Sequence, residues 1–184
     1  MKWQRMILAA ALCLGAIASS GPARAQIATG MSASGVLGPA DLITRPAGAT
    51  TASRLNGPNG VAIDPTTGKL FVADRANHRV LRWASADAMI NGSAAEAVLG
   101  QPDFTTATSG LSAVKMNNPI GVFVDGAGRL WVGDFSNNRV LRFDAASTKA
   151  NGAAADGVLG QLDFVTSASG TTALKTNGPC GIYA

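Results

Sequence analysis

The chain has 184 residues, 47% of them hydrophobic and 14% charged, a balance that excludes a disordered polymer and allows a folded core. Its formal net charge of +4 would suit a nucleic-acid partner, but three of the 15 basic residues, Lys2, Arg5 and Arg24, fall within the first 25 positions. Without them 12 basic residues stand against 11 acidic ones, and no basic groove for nucleic acid is expected.

Lys2 and Arg5 precede an apolar run from Met6 to Ala18, and Ala23-Arg24-Ala25 follows. A positive start, a short apolar stretch and a small-x-small exit are the parts of a secretory signal peptide, so residues 1–25 are expected to be removed before Gln26. The mature chain is then periplasmic or extracellular. The run is short for a bilayer, and no membrane span is expected once the signal is gone. Cys13 follows Leu12 rather than the small residue a lipid-attachment cysteine needs, which argues against lipidation. Cys180 would be the only cysteine of the mature chain, so no internal disulfide can form. A catalytic thiol there would need a histidine partner, and His78 is the only histidine.

Residues 26–54 contain Val36–Leu42 (VLGPADL), a segment that returns as Val98–Phe104 (VLGQPDF) and Val158–Phe164 (VLGQLDF). Residues 55–115 and 116–175 are two copies of one longer unit, aligned on Gly60 and Gly121, and a third copy opens at 176–184 with Gly181 in register. The period of about 60 residues means a repeat architecture. Each copy reads as four strands. Gly60–Asp64 ends at Pro65 and the Gly68 turn. Lys69–Asp74 holds an unbroken apolar core, as suits a strand buried on both faces. Arg79–Trp83 is more polar and is expected nearer an edge. Val98–Phe104 contains Pro102, which cannot donate to a ladder and belongs on an edge strand. The second copy repeats these as Gly121–Asp125, Arg129–Asp134, Arg139–Phe143 and Val158–Phe164. The expected fold class is all-β: propeller blades of four antiparallel strands, two complete and the others partial.

The pattern P-x-G-V-x-[VI]-D, L-[FW]-V-x-D, x-x-N-x-R-V-L-R-[FW] resembles the NHL repeat. Pro58–Trp83 and Pro119–Phe143 carry it, and Pro179–Ala184 carries its opening. The V-L-G-Q-x-D-F segment is similar to that of exported bacterial NHL proteins with long repeats. The resemblance implies a propeller, most often of six blades. The excess length lies in Ala84–Ala97 and Thr105–Lys115 and their counterparts Asp144–Asp156 and Val165–Lys175. In a closed ring Val36–Leu42 would complete a last blade, so the chain is expected to be a truncated product. Its open faces, including parts of Leu70, Val72, Leu130 and Val132, are expected to be exposed.

Asp74, Asn77 and Arg79 recur as Asp134, Asn137 and Arg139. They could converge on a ligand, but repetition in both blades favours a structural motif, with Asn taking a left-handed turn position and Arg pairing back to Asp across the hairpin. Asp64 and Asp125 could line a cation site, yet each precedes a turn and is expected to cap it. His78 is expected to be a lone exposed turn residue, since zinc needs three or four ligands. Trp83, Trp131, Phe71, Phe104, Phe143 and Phe164 hold repeat-equivalent strand positions and are expected in the core. No catalytic, cofactor-binding or metal-binding residue is assigned, and no cofactor is expected. The favoured function is a non-catalytic module binding a protein or carbohydrate through rim loops. The alternative, through the resemblance, is part of a metal-dependent propeller enzyme of lyase or lactonase type.

Overall fold

The computed structural model describes residues 35–40, 49–87 and 90–183, all within the unit 33–184. Residues 1–25, on which the signal-peptide expectation falls, with Cys13, and Asp41 and Leu42 of the N-terminal segment, lie outside the described residues. Each complete copy of the repeat forms its own four-stranded antiparallel sheet. The first contains β1 (Pro58–Ile63), β2 (Leu70–Asp74), β3 (Arg79–Trp83) and β4 (Ala97–Leu99), neighbours in that order. The second contains β5 (Pro119–Val124), β6 (Leu130–Asp134), β7 (Arg139–Phe143) and β8 (Gly157–Leu159), again in chain order. Even the irregularity repeats: the β1–β2 register shifts between Pro58 and Val61, and β5–β6 shifts between Pro119 and Val122.

The two sheets pack through the first strand of the second blade, β5, which lies against β1 and β2. Their approach is close enough to require glycine. A Cβ on Gly60 would run into the carbonyl oxygen of Ile120, and one on Gly121 into that of Cys180. Backbone carbonyls cannot yield as a flexible side chain would, so the glycine of G-V-x-[VI]-D marks where inner strands converge. Between the sheets lies one core cluster, joining Phe71, Ala73, Val80 and Leu99 of the first blade to Val122, Val124, Leu130, Val132, Leu141 and Phe143 of the second. A smaller cluster on the far side of the first blade holds Leu70, Val72, Leu81, Trp83 and Val98, with Leu37 and Leu55 packed against it.

The Arg79–Trp83 strand lies next to the edge strand β4, and all five of its residues are buried, because both arginines are engaged by acids and carbonyls. Three expectations are corrected. The fourth strands are three residues long. Each stops at Leu99 or Leu159, and Gly100 and Gly160 then turn the chain at φ 85° and 81°. Pro102 therefore sits beyond the strand. Leu70, Val72, Leu130 and Val132 are buried, the first two under Leu37 and Leu55 and the others within the interface between the blades. Among the described residues, the large exposed hydrophobic ones are instead Val61, Ile63, Ile90, Val114, Leu159, Leu162, Val165, Leu174 and Tyr183.

Residues 35–40 form no strand but stand to the first blade as 97–102 stand to the second. The Val36 N–H donates to Asn91 Oδ1 at 2.9 Å, and the Val98 N–H donates to the equivalent Asn151 Oδ1 at 3.0 Å. Gly38, with φ 103°, backs onto Leu55 as Gly100 backs onto Met116. Residues 176–183 likewise run past the second blade as residues 116–122 run past the first.

Candidate functional site

The repeated polar triplet sits at the β2–β3 and β6–β7 hairpins. Asp74 and Arg79 face each other across the β2–β3 register. Arg79 Nε donates to Asp74 Oδ2 at 2.7 Å, and Asn77 Nδ2 donates to the same oxygen at 2.8 Å. The other oxygen, Oδ1, accepts the Asn56 N–H at 2.6 Å. The remaining guanidinium nitrogens donate to the carbonyls of Phe104, Thr51 and Arg54. Arg79 thus ties the hairpin to the entering chain and to the end of the V-L-G-Q-x-D-F segment. Arg139 makes the same set with Asp134 and the carbonyls of Phe164, Ser112 and Lys115. Both ion pairs have fully buried side chains. Burial lifts the Asp134 carboxyl above its usual range, opposed by the Asn117 N–H, Asn137 and Arg139. With the carboxylate and every guanidinium nitrogen engaged and buried, the triplet is a structural clasp.

Asn77 and Asn137 do not take the left-handed position. Each ends a short 3-10 turn, and the following residue, His78 or Asn138, adopts φ 53° or 49°. The asparagine side chains turn inward to the aspartates instead. His78 is half-buried, and its Nδ1 accepts the Asn118 N–H at 3.1 Å, so it is more than an exposed turn residue. Gln101 is another residue whose role sequence reading missed. It is fully buried, and its Nε2 donates to the carbonyls of His78 and Thr108. Gln161 repeats this at Asn138 and Ala168. The signal was present in the repeated Q of V-L-G-Q, which stands in a segment read as strand.

Asp64 and Asp125 cap turns. Asp64 accepts the Thr66 N–H and the Thr67 hydroxyl, and these bonds, with the Thr67 N–H, hold its carboxyl below the usual range although burial works against them. Burial also opposes the shift at Asp125, yet the Trp131 indole, Arg129 and the Ala127 N–H hold it down to about 2. Neither carboxylate is idle. Among the described residues, no three of His, Cys, Asp and Glu gather where they could hold a metal ion.

What remains is surface. Phe123, Asp125, Arg129, Trp131, Ile182 and Tyr183 line a cavity of about 310 Å³. Arg129 Nε pairs with Asp125 Oδ2 at 2.7 Å, and its guanidinium lies 5.6 Å from the Trp131 ring centre. The loop 165–175 and the V-L-G-Q-L-D-F segment bound a second cavity of about 270 Å³, between Gln161, Leu162, Ala168, Leu174 and Lys175. At the equivalent place in the first blade Lys115 Nζ donates to Gln101 Oε1 and Thr108 Oγ1. Ala168 has no hydroxyl to offer Lys175. The loop 105–115 is more than rim decoration, since its carbonyls receive Arg139 and Asn137.

Sheets of four antiparallel strands, stacked face to face through their first strands and repeated at a fixed period, are blades of the β-propeller class. The two complete copies match the family model of the NHL repeat over residues 55–83 and 116–143. The chain therefore carries two NHL repeats, each forming one four-stranded blade. No curated protein matches it closely enough to serve as a relative.

Proposed function

We propose that this NHL-repeat chain is an exported, non-catalytic module that binds a protein or carbohydrate ligand outside the cytoplasm. The observation that carries the reading is the fate of the repeated polar residues. Asp74, Asn77, Arg79 and their counterparts are buried and engaged by their own blades and the chain entering them, which leaves recognition to the loops and to the Trp131 cavity. There an indole face, an exposed tyrosine and an Arg–Asp pair lie together, chemistry suited to a sugar ring or to a peptide side chain with a polar edge. Export rests on the leader, and N-terminal sequencing of the periplasmic or culture fraction should begin at Gln26.

Binding is tested by titrating the exported protein with neutral and acidic oligosaccharides and with peptides while following tryptophan emission. Trp83 is buried and Trp131 half-exposed, so the Trp131→Phe variant assigns the signal. A saturable change, lost in that variant at unchanged melting temperature, is the expected result. Turnover of a test substrate that stops on chelation would replace this reading with a metal-dependent enzyme.

A further inference from the structure

His78 and Asn138 hold the same place in the two copies, and each reaches across to the residue that leads into the next copy. His78 Nδ1 accepts the Asn118 N–H at 3.1 Å, and Asn138 Oδ1 accepts the Gly178 N–H at 3.0 Å. The two donors are also equivalent, both left-handed, with φ 55° and 53°. One tie between copies is therefore made twice, by different acceptors. An amide oxygen accepts at any ordinary pH. An imidazole Nδ1 accepts only while the ring is neutral and carries its proton on Nε2.

We propose that the His78–Asn118 contact is a pH-sensitive latch between the first and second blades, closed while the imidazole is neutral and released when Nδ1 gains a proton. Protonation would set an N–H against the Asn118 N–H, at a position where the His78 backbone is held on both sides. Gln101 holds the His78 carbonyl at 3.0 Å, and the Arg75 carbonyl accepts the His78 N–H at 3.1 Å. The charged groups on the surrounding elements are Asp134 at the end of β6, clasped by Arg139; Arg75 in the same turn; the Asp74–Arg79 pair behind it; and Lys115, which reaches Gln101. Burial of the ring lowers the His78 pKa from its ordinary 6.5, and the attraction of Asp134 offsets this only in part.

The sign follows from linkage. A native pKa below the unfolded one means that the unfolded chain binds the proton more readily. The latch contributes fully above about pH 6.5 and weakens as pH falls through the native titration. The folding equilibrium shifts about tenfold for each pH unit separating the two titrations.

The test uses the full chain, in which His78 is the only histidine and gives the only imidazole resonance. Its titration is followed by NMR from pH 7.5 to 5.0. Amide exchange at Asn118 and Gly178, each relative to its intrinsic rate, is measured over the same range, and urea midpoints are compared with those of His78→Asn. That variant copies the acceptor and the left-handed backbone already present at Asn138. Expected are a titration below 6.5, protection lost at Asn118 but not at Gly178 as the ring protonates, and a smaller pH dependence of the midpoint in His78→Asn. An unaltered pH dependence in the variant, a titration at or above 6.5, or equal behaviour of the two amides overturns the latch. The exchange arm needs no variant, so a failure of His78→Asn to fold would leave the proposal decidable.

Discussion

Val61 and Val122 occupy the same position in the two blades, as do Leu99 and Leu159, yet their surroundings are opposite. Val61 is 61% exposed and Val122 7%, whereas Leu99 is 1% exposed and Leu159 54%. The sheets themselves are alike, strand for strand and bulge for bulge. The difference lies in which face has a neighbour: the first blade is covered on the side of the second, and the second on the side of the first. The arginines of R-V-L-R-[FW] show it too. Arg82 is nearly buried and donates across the interface to the carbonyls of Ala146 and Lys149. Its counterpart Arg142 is 34% exposed and folds back on Asp144, with Nε 2.8 Å from Oδ1 but not aimed at it. A blade is a local structure, and its core is a property of the pair.

The clasp should ignore this difference, since it is internal to each blade and its entering chain. Arg79→Ala and Arg139→Ala should each cost about 3–5 kcal/mol, the loss from leaving a buried carboxylate without its partner. Similar losses in urea melts are expected, and a loss in one blade only would show that the clasp depends on the neighbouring sheet.

Core truncation should expose the difference. Leu99→Ala should cost about 2–5 kcal/mol, while Leu159→Ala should stay within about 0.5 kcal/mol. Added volume should follow the same rule: Gly60→Ala should cost about 1–3 kcal/mol by forcing Ile120 away, whereas Gly181, with nothing near its missing Cβ, should accept alanine at little cost. The smallest effect on folding is expected from Leu162→Glu. Leu162 is 82% exposed, so the melt should be unchanged while self-association, measured by sedimentation, declines. An unchanged association constant would mean that this face does not drive contact between copies.

Much of the fold was legible because a 60-residue period samples one answer several times. The unbroken apolar run of β2, the turn glycines and the Asp–Arg pairing across the hairpin all follow from local chemistry, and each appears as read. The misread features depend on what lies outside the local chain. Arg79–Trp83 reads as polar because its arginines are charged, and only distant partners explain their burial: the carbonyls of Phe104, Thr51 and Arg54 for Arg79, and Glu96 with the carbonyls of Ala146 and Lys149 for Arg82. V-L-G-Q-x-D-F looked like strand throughout, yet Gly100 bends it and Gln101 plugs the hairpin beside it. The left-handed position was assigned to the repeated asparagine, whereas the fold asks there for backbone tolerance and accepts His78 or Asn138. For the Trp131 cavity the residues were visible, but their meeting with Tyr183 depends on how the third copy runs past β6.

Hydrogen exchange on the unaltered chain tests the central claim most directly. The amides of Ala97–Leu99 and Gly157–Leu159 belong to equivalent strands with the same register to the strand before them. If burial between blades sets local stability, the first set should exchange only in the slow global opening, and the second orders of magnitude faster by local fraying. Equal protection of the two strands would contradict the account, because each blade would then be stable whether or not a neighbour covers it.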